Sequence, residues 1–518
     1  MEALKDLEPL DMMAVRRERC LPGTRVNILR ALFTSLTDPT ADKNIVWLRG
    51  AAGSGKSTIL NTLAHYTFQL CRQGAFLFWE RSKTDNSEPH RVIHTLAHQL
   101  ARFNAIFAQE LETQIKTRPH VMESSLDSQF QYLLVEPLAA LTAIHDFGPI
   151  FLILDALDEC GISESRRQLL NTLSTKLPKV VRVLIASRDE PDIDAALSHL
   201  NPETYDTPMG DRSTSLDIKL LFEKRLATNT KVSTSGRPPP EWLGAELIQR
   251  LVALSGGLFI WASTTIRFIE SGPRKDRLNK ILSASAHQRS YARLDDLYMI
   301  ALTHSFDSYA DDELEYVHSI LGAIVVAREP LTDEQLGQLL RLEIDVVQDV
   351  LSRLQPLLRG GHGRPVRFLH VSFIDFLCNL ERRQPDIPNW HIVIMSTCHL
   401  DLASGCVHIM EQDLKFNICG IETSYCRNKD IEGIQKRIEQ VITPALMYAS
   451  RYWADHLESG STSEADLHPF LGRVRDFFTR RFLYWIEVFS LKEQMSMIPM
   501  ILRKVTDWAK VCHSPDAW

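Results

Sequence analysis

The sequence predicts an α/β domain, with a mostly parallel sheet covered by helices on both faces, followed by helical segments. Three features lead to this fold class. A glycine-rich loop joins an apolar strand to a helix, short apolar strands alternate with helical segments from 44 to 201, and helical periodicity dominates the remainder of the chain. Strands that are apolar throughout are typical of parallel sheets buried on both faces.

The glycine-rich loop is the segment Gly50–Ser57, between an apolar run at 45–48 and a helical pattern at 57–70. Its spacing is that of a phosphate-binding loop, in which glycines let backbone N–H groups approach an anion. The positive end of the following helix adds to this attraction, and this context makes an incidental glycine-rich turn the weaker alternative. Lys56 would contact the β- and γ-phosphates, and the Ser57 hydroxyl would bind Mg²⁺. The predicted nucleotide-binding residues in this segment are Gly50, Gly53, Ser54, Gly55, Lys56, Ser57 and Thr58.

Acidic side chains follow the third predicted strand, Ile150–Leu154. Open α/β sheets bind their ligands at the carboxyl ends of the strands. Asp155 is therefore predicted to hold Mg²⁺ through water, and Asp158 or Glu159 to orient or deprotonate an attacking water. A helix N-cap would explain one acidic residue at this place, but it is the weaker explanation for three within five positions.

The fourth predicted strand, at 181–186, is followed by Ser187 and Arg188. Arg188 could reach the γ-phosphate of a nucleotide and sense its charge. A surface ion pair with Asp189 or Glu190 is the alternative interpretation of this arginine.

The order of these motifs resembles that of a NACHT domain, a signalling P-loop NTPase of the STAND class that includes the NOD-like receptors. The resemblance rests on Gly50–Ser57, Leu154–Glu159 and Ala186–Arg188, which follow one another along the chain. Two further segments, Cys20–Arg25 and Leu96–Ala101, resemble the fungal branch in particular. The resemblance implies binding of ATP or ADP, with GTP also possible, together with Mg²⁺, slow hydrolysis and use of the nucleotide as a switch.

The resemblance runs from Cys20 to Phe376, and more loosely to the C-terminus. His370 matches the histidine that, in NOD-like receptors, contacts the β-phosphate of ADP and holds the inactive form closed. The alternative is a partly buried histidine that is hydrogen-bonded within its own domain. Related receptors usually carry an effector domain before this region and a repeat array after it. We expect neither in this chain, which reads as a core switch or a truncated gene product.

Periodicity and turn signals divide the chain into five predicted segments. These are a lead-in (1–43), the nucleotide-binding domain (44–201), a helical domain (202–295), a winged-helix-like domain (296–390) and a C-terminal helical domain (391–518). The winged-helix interpretation rests on three predicted helices, the last at 344–357, before a hairpin turn at 360–363. A flexible loop is predicted at 228–240. Other predicted helices lie at 91–107, 130–144 with a break at Pro137, 392–402, 431–457, 467–478 and 482–509.

The composition excludes several classes of protein. A net charge of −7 implies no general attraction to nucleic acid or to an anionic membrane. The nine cysteines are odd in number and form no C-x-x-C pair, which favours free thiols and a cytoplasmic location. No apolar run approaches the length of a membrane span. Cys398, His399, Cys406 and His408 match no standard zinc spacing, and we expect them to be a buried helical cluster.

We interpret the chain as a nucleotide-dependent switch that hydrolyses ATP slowly, self-associates on activation and signals to an unidentified protein, as in immune-like or incompatibility signalling. A DNA-binding regulator is one alternative, but the helix at 344–357 carries only Arg353 as a cation against three acidic residues. A metabolic kinase or ordinary ATPase is disfavoured because no second substrate motif is present. A scaffold that does not hydrolyse nucleotide is the remaining alternative.

Overall fold

The computed structural model describes residues 7, 9, 18–79, 88–142, 148–160, 163–178, 180–198, 201–207, 210–228, 244–283, 290–379, 390–423, 425–460 and 464–511. The chain divides into two compact units, residues 1–297 and 298–518. The finer division into five segments stays a prediction. Among the described helices, none combines the length and the apolar composition needed to cross a membrane.

The first unit is built on a sheet of five parallel strands, which confirms the predicted α/β fold class. The strands lie in the order β2-β3-β4-β1-β5, so that β4 separates β1 from β3. Side chains of β1 alternate between two apolar clusters, with Ile45 and Trp47 in one and Val46 and Leu48 in the other. The sheet is therefore covered on both faces. The strands are β1 (Ile45–Arg49), β2 (Gln73–Phe78), β3 (Ile150–Asp155), β4 (Val181–Ser187) and β5 (Glu203–Asp206).

Helices precede, connect and follow these strands along the chain. The helices that begin in the first unit are α1 (Val26–Thr37), α2 (Lys56–Gln69), α3 (Pro89–Phe103), α4 (Ala105–Thr117), α5 (Leu126–Phe130), α6 (Glu136–Thr142), α7 (Ser163–Lys176), α8 (Pro191–Ser198), α9 (Arg212–Thr228), α10 (Ala245–Ser255), α11 (Phe259–Glu270), α12 (Arg274–Ser283) and α13 (Ser290–Ser305). The predicted loop at 228–240 lies outside the described residues, apart from Thr228.

The prediction of a single helix at 91–107 is wrong. Helix α3 ends at Phe103, and the Asn104 side chain accepts hydrogen bonds from the N–H groups of Ile106 and Phe107. These are donors that have no partner inside the new helix α4, so an asparagine N-cap starts a second helix there. The apolar periodicity continues across this junction, and it therefore hid the break.

Two other details of the first unit differ from the sequence-based expectation. The predicted break at Pro137 is replaced by a wide π-helical turn at Gln131–Val135, between α5 and α6, which accommodates a residue without a backbone N–H.

The edge strand β5 was not predicted. It has four residues, alternates in exposure and, within the part of the chain that the structure describes, pairs with β1 alone, so it lacks the apolar run that marks the buried strands.

Over its described residues, the second unit is helical, with one antiparallel hairpin. Three helices precede the hairpin, in the predicted order, although the third ends at Arg353 rather than near 357. Its elements are α14 (Asp311–Val326), α15 (Asp333–Leu340), α16 (Ile344–Arg353), β6 (Leu358–Gly361), β7 (Arg364–Phe368), α17 (Val371–Cys378), α18 (Met395–Asp413), α19 (Ile434–Val441), α20 (Pro444–Gly460), α21 (Glu464–Asp476), α22 (Phe482–Leu491) and α23 (Ile498–Val511). The predicted helices at 431–457 and 482–509 are each divided in two, and the first divides where Pro444 begins α20.

A buried hydrogen-bonded cluster joins helices α18 and α20. The Nδ1 atoms of His399 and His456 lie 2.8 Å apart, and His456 Nε2 lies 2.8 Å from the hydroxyl of Tyr448. Burial lowers the pKa of His399 to about 4 and the pKa of His456 well below its ordinary value. Both rings are therefore neutral at physiological pH.

Candidate functional site

The phosphate loop, Gly50–Ser57, connects the end of β1 directly to the start of α2. Gly50 has a φ of 154°, and a Cβ at this position would lie 1.7 Å from the Thr207 hydroxyl oxygen. Only glycine fits such a close approach. Gly53 and Gly55 also have positive φ values, of 77° and 96°. The predicted strand–loop–helix context is therefore present, with its glycines in conformations that other residues rarely adopt.

Lys56 is the first residue of α2, and its side chain folds over the loop. Its Nζ donates hydrogen bonds to the carbonyl oxygens of Gly50, at 2.6 Å, and Ala51, at 2.9 Å. Burial lowers the pKa of Lys56 to about 8, against the opposing effect of the nearby carboxylates of Asp158 and Asp155. The lysine is therefore held inside the loop, and it is still mostly charged at pH 7.

The two predicted metal ligands lie side by side. The Ser57 hydroxyl donates a hydrogen bond of 3.2 Å to Oδ1 of Asp155, the last residue of β3. A Ser57 hydroxyl that bound Mg²⁺ directly could still donate this hydrogen bond, and the Asp155 carboxylate would then bind a water of the ion's coordination shell. A hydroxyl and a carboxylate are also the hard oxygen donors that this ion prefers. The pair therefore fits Mg²⁺ in its chemistry, with the serine as a direct ligand and the aspartate acting through water.

Asp158 and Arg188 form an ion pair at the ends of adjacent strands. Arg188 Nε lies 3.0 Å from Asp158 Oδ2, and the Arg188 backbone N–H donates to Asp158 Oδ1 at 3.1 Å. Asp158 is 7% exposed. Both carboxylate oxygens are thus used in orienting the arginine, which makes Asp158 a poor candidate for deprotonating a water.

Glu159 follows Asp158 in a short 3-10 turn at Leu157–Glu159 and is half-buried. Its charge raises the pKa of Lys56, as those of Asp155 and Asp158 do, so it lies near the same lysine. Of the acidic residues after β3, Glu159 is the better candidate for a base. Thr58, also half-buried, lies in the first turn of α2.

The Ser54 side chain is bonded within the protein, and its predicted contact with nucleotide stays a prediction. Its side chain is fully buried, and its Oγ accepts a hydrogen bond of 2.9 Å from Thr207. Its carbonyl accepts a hydrogen bond of 2.7 Å from Arg25. The side chain therefore fixes the loop, and neither Thr207 nor this contact of Arg25 was identified from the sequence. Arg25 belongs to the segment that resembles the fungal branch, whereas Thr207 carried no local signal.

His370 lies in the second unit and caps helix α17. Its Nδ1 accepts a hydrogen bond of 3.1 Å from the Ser372 N–H and lies 2.7 Å from the Ser372 hydroxyl. That hydroxyl lies 2.8 Å from the hydroxyl of Tyr298. This is the hydrogen bonding that the alternative interpretation of His370 expects, and its contact with a phosphate stays a prediction.

Comparisons with known proteins agree with the resemblance that the motifs indicate. The family model "Nephrocystin 3, N-terminal" matches residues 23–188, which include the phosphate loop, the acidic residues after β3 and Arg188. The vegetative incompatibility protein HET-E-1 of Podospora anserina is 21% identical over an alignment that covers 87% of this chain. The chain spans 33% of the length of that protein. These two matches confirm the predicted similarity to fungal NTPases of the NACHT class.

Two solved structures give weaker matches. A Walker-type ATPase of Pyrococcus abyssi is 13% identical, with a TM-score of 0.33, over 69% of this chain and 97% of the other. The structure of Drosophila ORC bound to DNA is 11% identical, with a TM-score of 0.25, over 94% of this chain and 71% of the other. At such TM-scores these similarities carry no argument about function.

The lowered pKa of Lys56 predicts that ADP binding depends on pH. The phosphates bind the charged lysine, so the affinity for MgADP should fall about tenfold between pH 7 and pH 9 as Lys56 loses its proton in the free protein. Calorimetry in buffers of different ionisation heat should show proton uptake on binding at pH 9. The Lys56→Arg variant, which stays charged, should show no such uptake. A wild-type affinity that does not change over this range would mean that the free lysine is fully charged.

Proposed function

We propose that this chain is a nucleotide-dependent signalling switch, which binds ATP or ADP with Mg²⁺, hydrolyses ATP slowly and self-associates on activation. The observation that carries the proposal is the arrangement of Lys56, Ser57 and Asp155 around one glycine-rich loop. A charged amine, a hydroxyl and a carboxylate then converge where a metal-bound polyphosphate would lie. GTP remains a second possible ligand, and a cytoplasmic location is part of the proposal.

Each residue of the site has a distinct role in this proposal. Lys56 contacts the β- and γ-phosphates, while Ser57 binds Mg²⁺ directly and Asp155 binds it through water. Mg²⁺ supplies positive charge that offsets the negative charge of the phosphates. Glu159 orients and deprotonates the attacking water, and Arg188 contacts the γ-phosphate in the orientation that Asp158 imposes. Groups fixed in advance stabilise developing charge without reorganising during the reaction.

The switch requires contacts that differ between ADP and ATP, because a ligand shifts an equilibrium only through interactions made in one state. In the closed form, His370 of the winged-helix-like domain donates a hydrogen bond to the β-phosphate of ADP. Its Nδ1 accepts from the Ser372 N–H, so the neutral ring carries its proton on Nε2, which is a suitable donor. Replacement of ADP by ATP opens the protein and permits self-association. The similarity to an incompatibility protein supports signalling as the output.

DNA recognition is the weaker alternative. Arg353 is the one cation of α16, and its Nε lies 2.9 Å from a carboxylate oxygen of Asp349. Its guanidinium also lies 4.8 Å from the centre of the Tyr309 ring. A side chain engaged in this way contributes little to reading a nucleic acid. A scaffold without hydrolysis is distinguished from the switch by measuring turnover.

Replacing Lys56 with alanine should abolish nucleotide binding. The loop then offers only backbone dipoles to the phosphates, and the full charge is lost. Calorimetric titration with MgADP and MgATP measures the effect, with circular dichroism to verify folding. Lys116, an exposed lysine that pairs with Glu112, provides the control, since Lys116→Ala should bind normally. Wild-type affinity in Lys56→Ala would remove the phosphate loop from the proposed site.

Substitution of Glu159 by glutamine should leave ATP binding intact and slow hydrolysis by about 10²- to 10⁴-fold, because an amide is a far poorer base than a carboxylate. Single-turnover phosphate release separates the two effects. Asp158→Asn is the matched comparison, and should act through the orientation of Arg188. A rate that falls in Asp158→Asn but not in Glu159→Gln would show that Glu159 is not the base. Unchanged rates in both variants would exclude the acidic residues from turnover.

The His370→Ala variant should bind ADP about tenfold more weakly or worse, the effect of losing one charge-assisted hydrogen bond. It should also increase the self-associated fraction in ATP while the fold is kept. Calorimetry and analytical ultracentrifugation on the same preparation measure both effects. His120→Ala, which alters a highly exposed histidine, is the control. If ADP affinity is unaffected in a folded His370→Ala protein, His370 has only a structural role.

A further inference from the structure

Arg25 is a buried arginine that connects the phosphate loop to helix α9. It is 6% exposed. One terminal nitrogen donates to the Ser54 carbonyl at 2.7 Å, and the other donates to the Thr214 hydroxyl at 3.1 Å. Its backbone N–H donates to a carboxylate oxygen of Asp217 at 2.9 Å. One residue from the segment before β1 therefore bonds to both the loop and α9.

The same arginine also contacts helix α11. Its guanidinium lies 4.5 Å from the centre of the Phe259 ring, the first residue of that helix. The next residue, Ile260, donates its backbone N–H to the Gly53 carbonyl at 3.1 Å. An N–H in the first turn of a helix has no partner within the helix, so the loop carbonyl satisfies it. Adjacent carbonyls of the loop, those of Gly53 and Ser54, are thus held by α11 and by Arg25.

These contacts set the direction of a backbone donor. In a trans peptide the C=O and the N–H point in opposite directions. The guanidinium that holds the Ser54 carbonyl therefore turns the N–H of Gly55 the opposite way, away from Arg25. Backbone N–H groups are the groups with which such loops bind phosphate. Arg25 can therefore orient a phosphate-binding group without contacting the nucleotide.

The position of Arg25 is costly for the fold. Its φ is 57°, a left-handed conformation that is uncommon and strained for arginine. Burial also lowers the pKa of Arg25 below its ordinary value, despite the opposing charge of Asp217. Holding Arg25 between the loop and the two helices therefore costs free energy through both backbone strain and desolvation.

We propose that Arg25 is a positioning residue, which fixes the Ser54–Gly55 peptide for phosphate and transmits phosphate binding to helices α9 and α11. The inference rests on the proposed nucleotide function. Coupling of this kind is reciprocal: phosphate binding restricts the two helices, and their arrangement alters the affinity of the loop for phosphate. The segment before β1 is then part of the switch.

The test compares Arg25→Gln and Arg25→Lys with the wild type, using MgADP and Mg-tripolyphosphate as ligands. The glutamine variant should bind both ligands at least about tenfold more weakly, and by the same factor, because the defect lies in the loop that binds phosphate. A lysine can reach Ser54 or Thr214 but not both, so Arg25→Lys should be intermediate. If the glutamine variant does not fold, the Arg25→Lys variant is used for the test instead. Loss of affinity for ADP alone would overturn the inference.

Hydrogen exchange measures the transmission itself. In the wild type, saturating tripolyphosphate should slow amide exchange in α9 and α11, as well as in the loop. In Arg25→Gln, or in Arg25→Lys if only that variant folds, ligand at saturation should still protect the loop but no longer α9. Protection of α11 should weaken without being lost, because Ile260 still donates to the Gly53 carbonyl. Equal protection of both helices in wild type and variant would overturn the coupling.

Arg182 provides a matched control. It is 5% exposed, and its guanidinium donates to the backbone carbonyls of Asp38, Ala41 and Lys43, none of which belongs to the phosphate loop. The Arg182→Gln variant should lose stability but keep wild-type affinity for both ligands. An equal loss of affinity in Arg182→Gln and Arg25→Gln would show that the effect is general destabilisation, which overturns the inference.

Failure of the inference and failure of the proposed function are distinguishable. The proposed function is overturned if the wild-type protein binds neither ligand, or binds them no more tightly than the Lys56→Ala variant does. Binding that requires Lys56 but is unaffected in folded Arg25→Gln overturns only the role of Arg25.

Discussion

The hydrogen bonds that hold the carbonyl groups of the phosphate loop are the constraint on which the site depends. A loop that turns its N–H groups towards an anion must turn its carbonyl groups outward, and a buried carbonyl without a donor is costly. The donors here include Lys56 for Gly50 and Ala51, Ile260 for Gly53, and Arg25 for Ser54. Parts of the chain before and after the sheet are therefore required to shape one short loop.

The strand order extends this arrangement to the catalytic candidates. Because β4 lies between β1 and β3, Arg188 at its end is adjacent to both the phosphate loop and the acidic residues. The ion pair with Asp158 spans the ends of β3 and β4, and the Ser57–Asp155 hydrogen bond spans α2 and β3. The parallel sheet thus brings together residues that are about a hundred positions apart in the sequence.

Much of this site could be predicted from local sequence, and the remainder could not for a physical reason. The phosphate loop, the strands β1, β3 and β4 and the acidic residues after β3 each carry a signal within a few neighbouring residues. Thr207 and the contact between Arg25 and Ser54 depend on long-range packing of side chains against backbone, which leaves no local pattern. The edge strand β5 and the junction at Asn104 were missed because apolar periodicity is weak in one and continuous across the other.

The cluster of His399, His456 and Tyr448 has a consequence for how the second unit responds to acid. Two neutral rings whose Nδ1 atoms face each other share one hydrogen, so the bonds His399–His456 and His456–Tyr448 must run in a common direction and reverse together. Two N–H groups would face each other only if both rings were protonated. Since the folded pKa of His399, about 4, is below the unfolded value near 6.5, the unfolded chain binds more protons between these values. The stability contributed by this pair is thus complete above about pH 6.5 and decreases as the pH falls towards 4. The packing of α18 against α20 is therefore expected to weaken in acid.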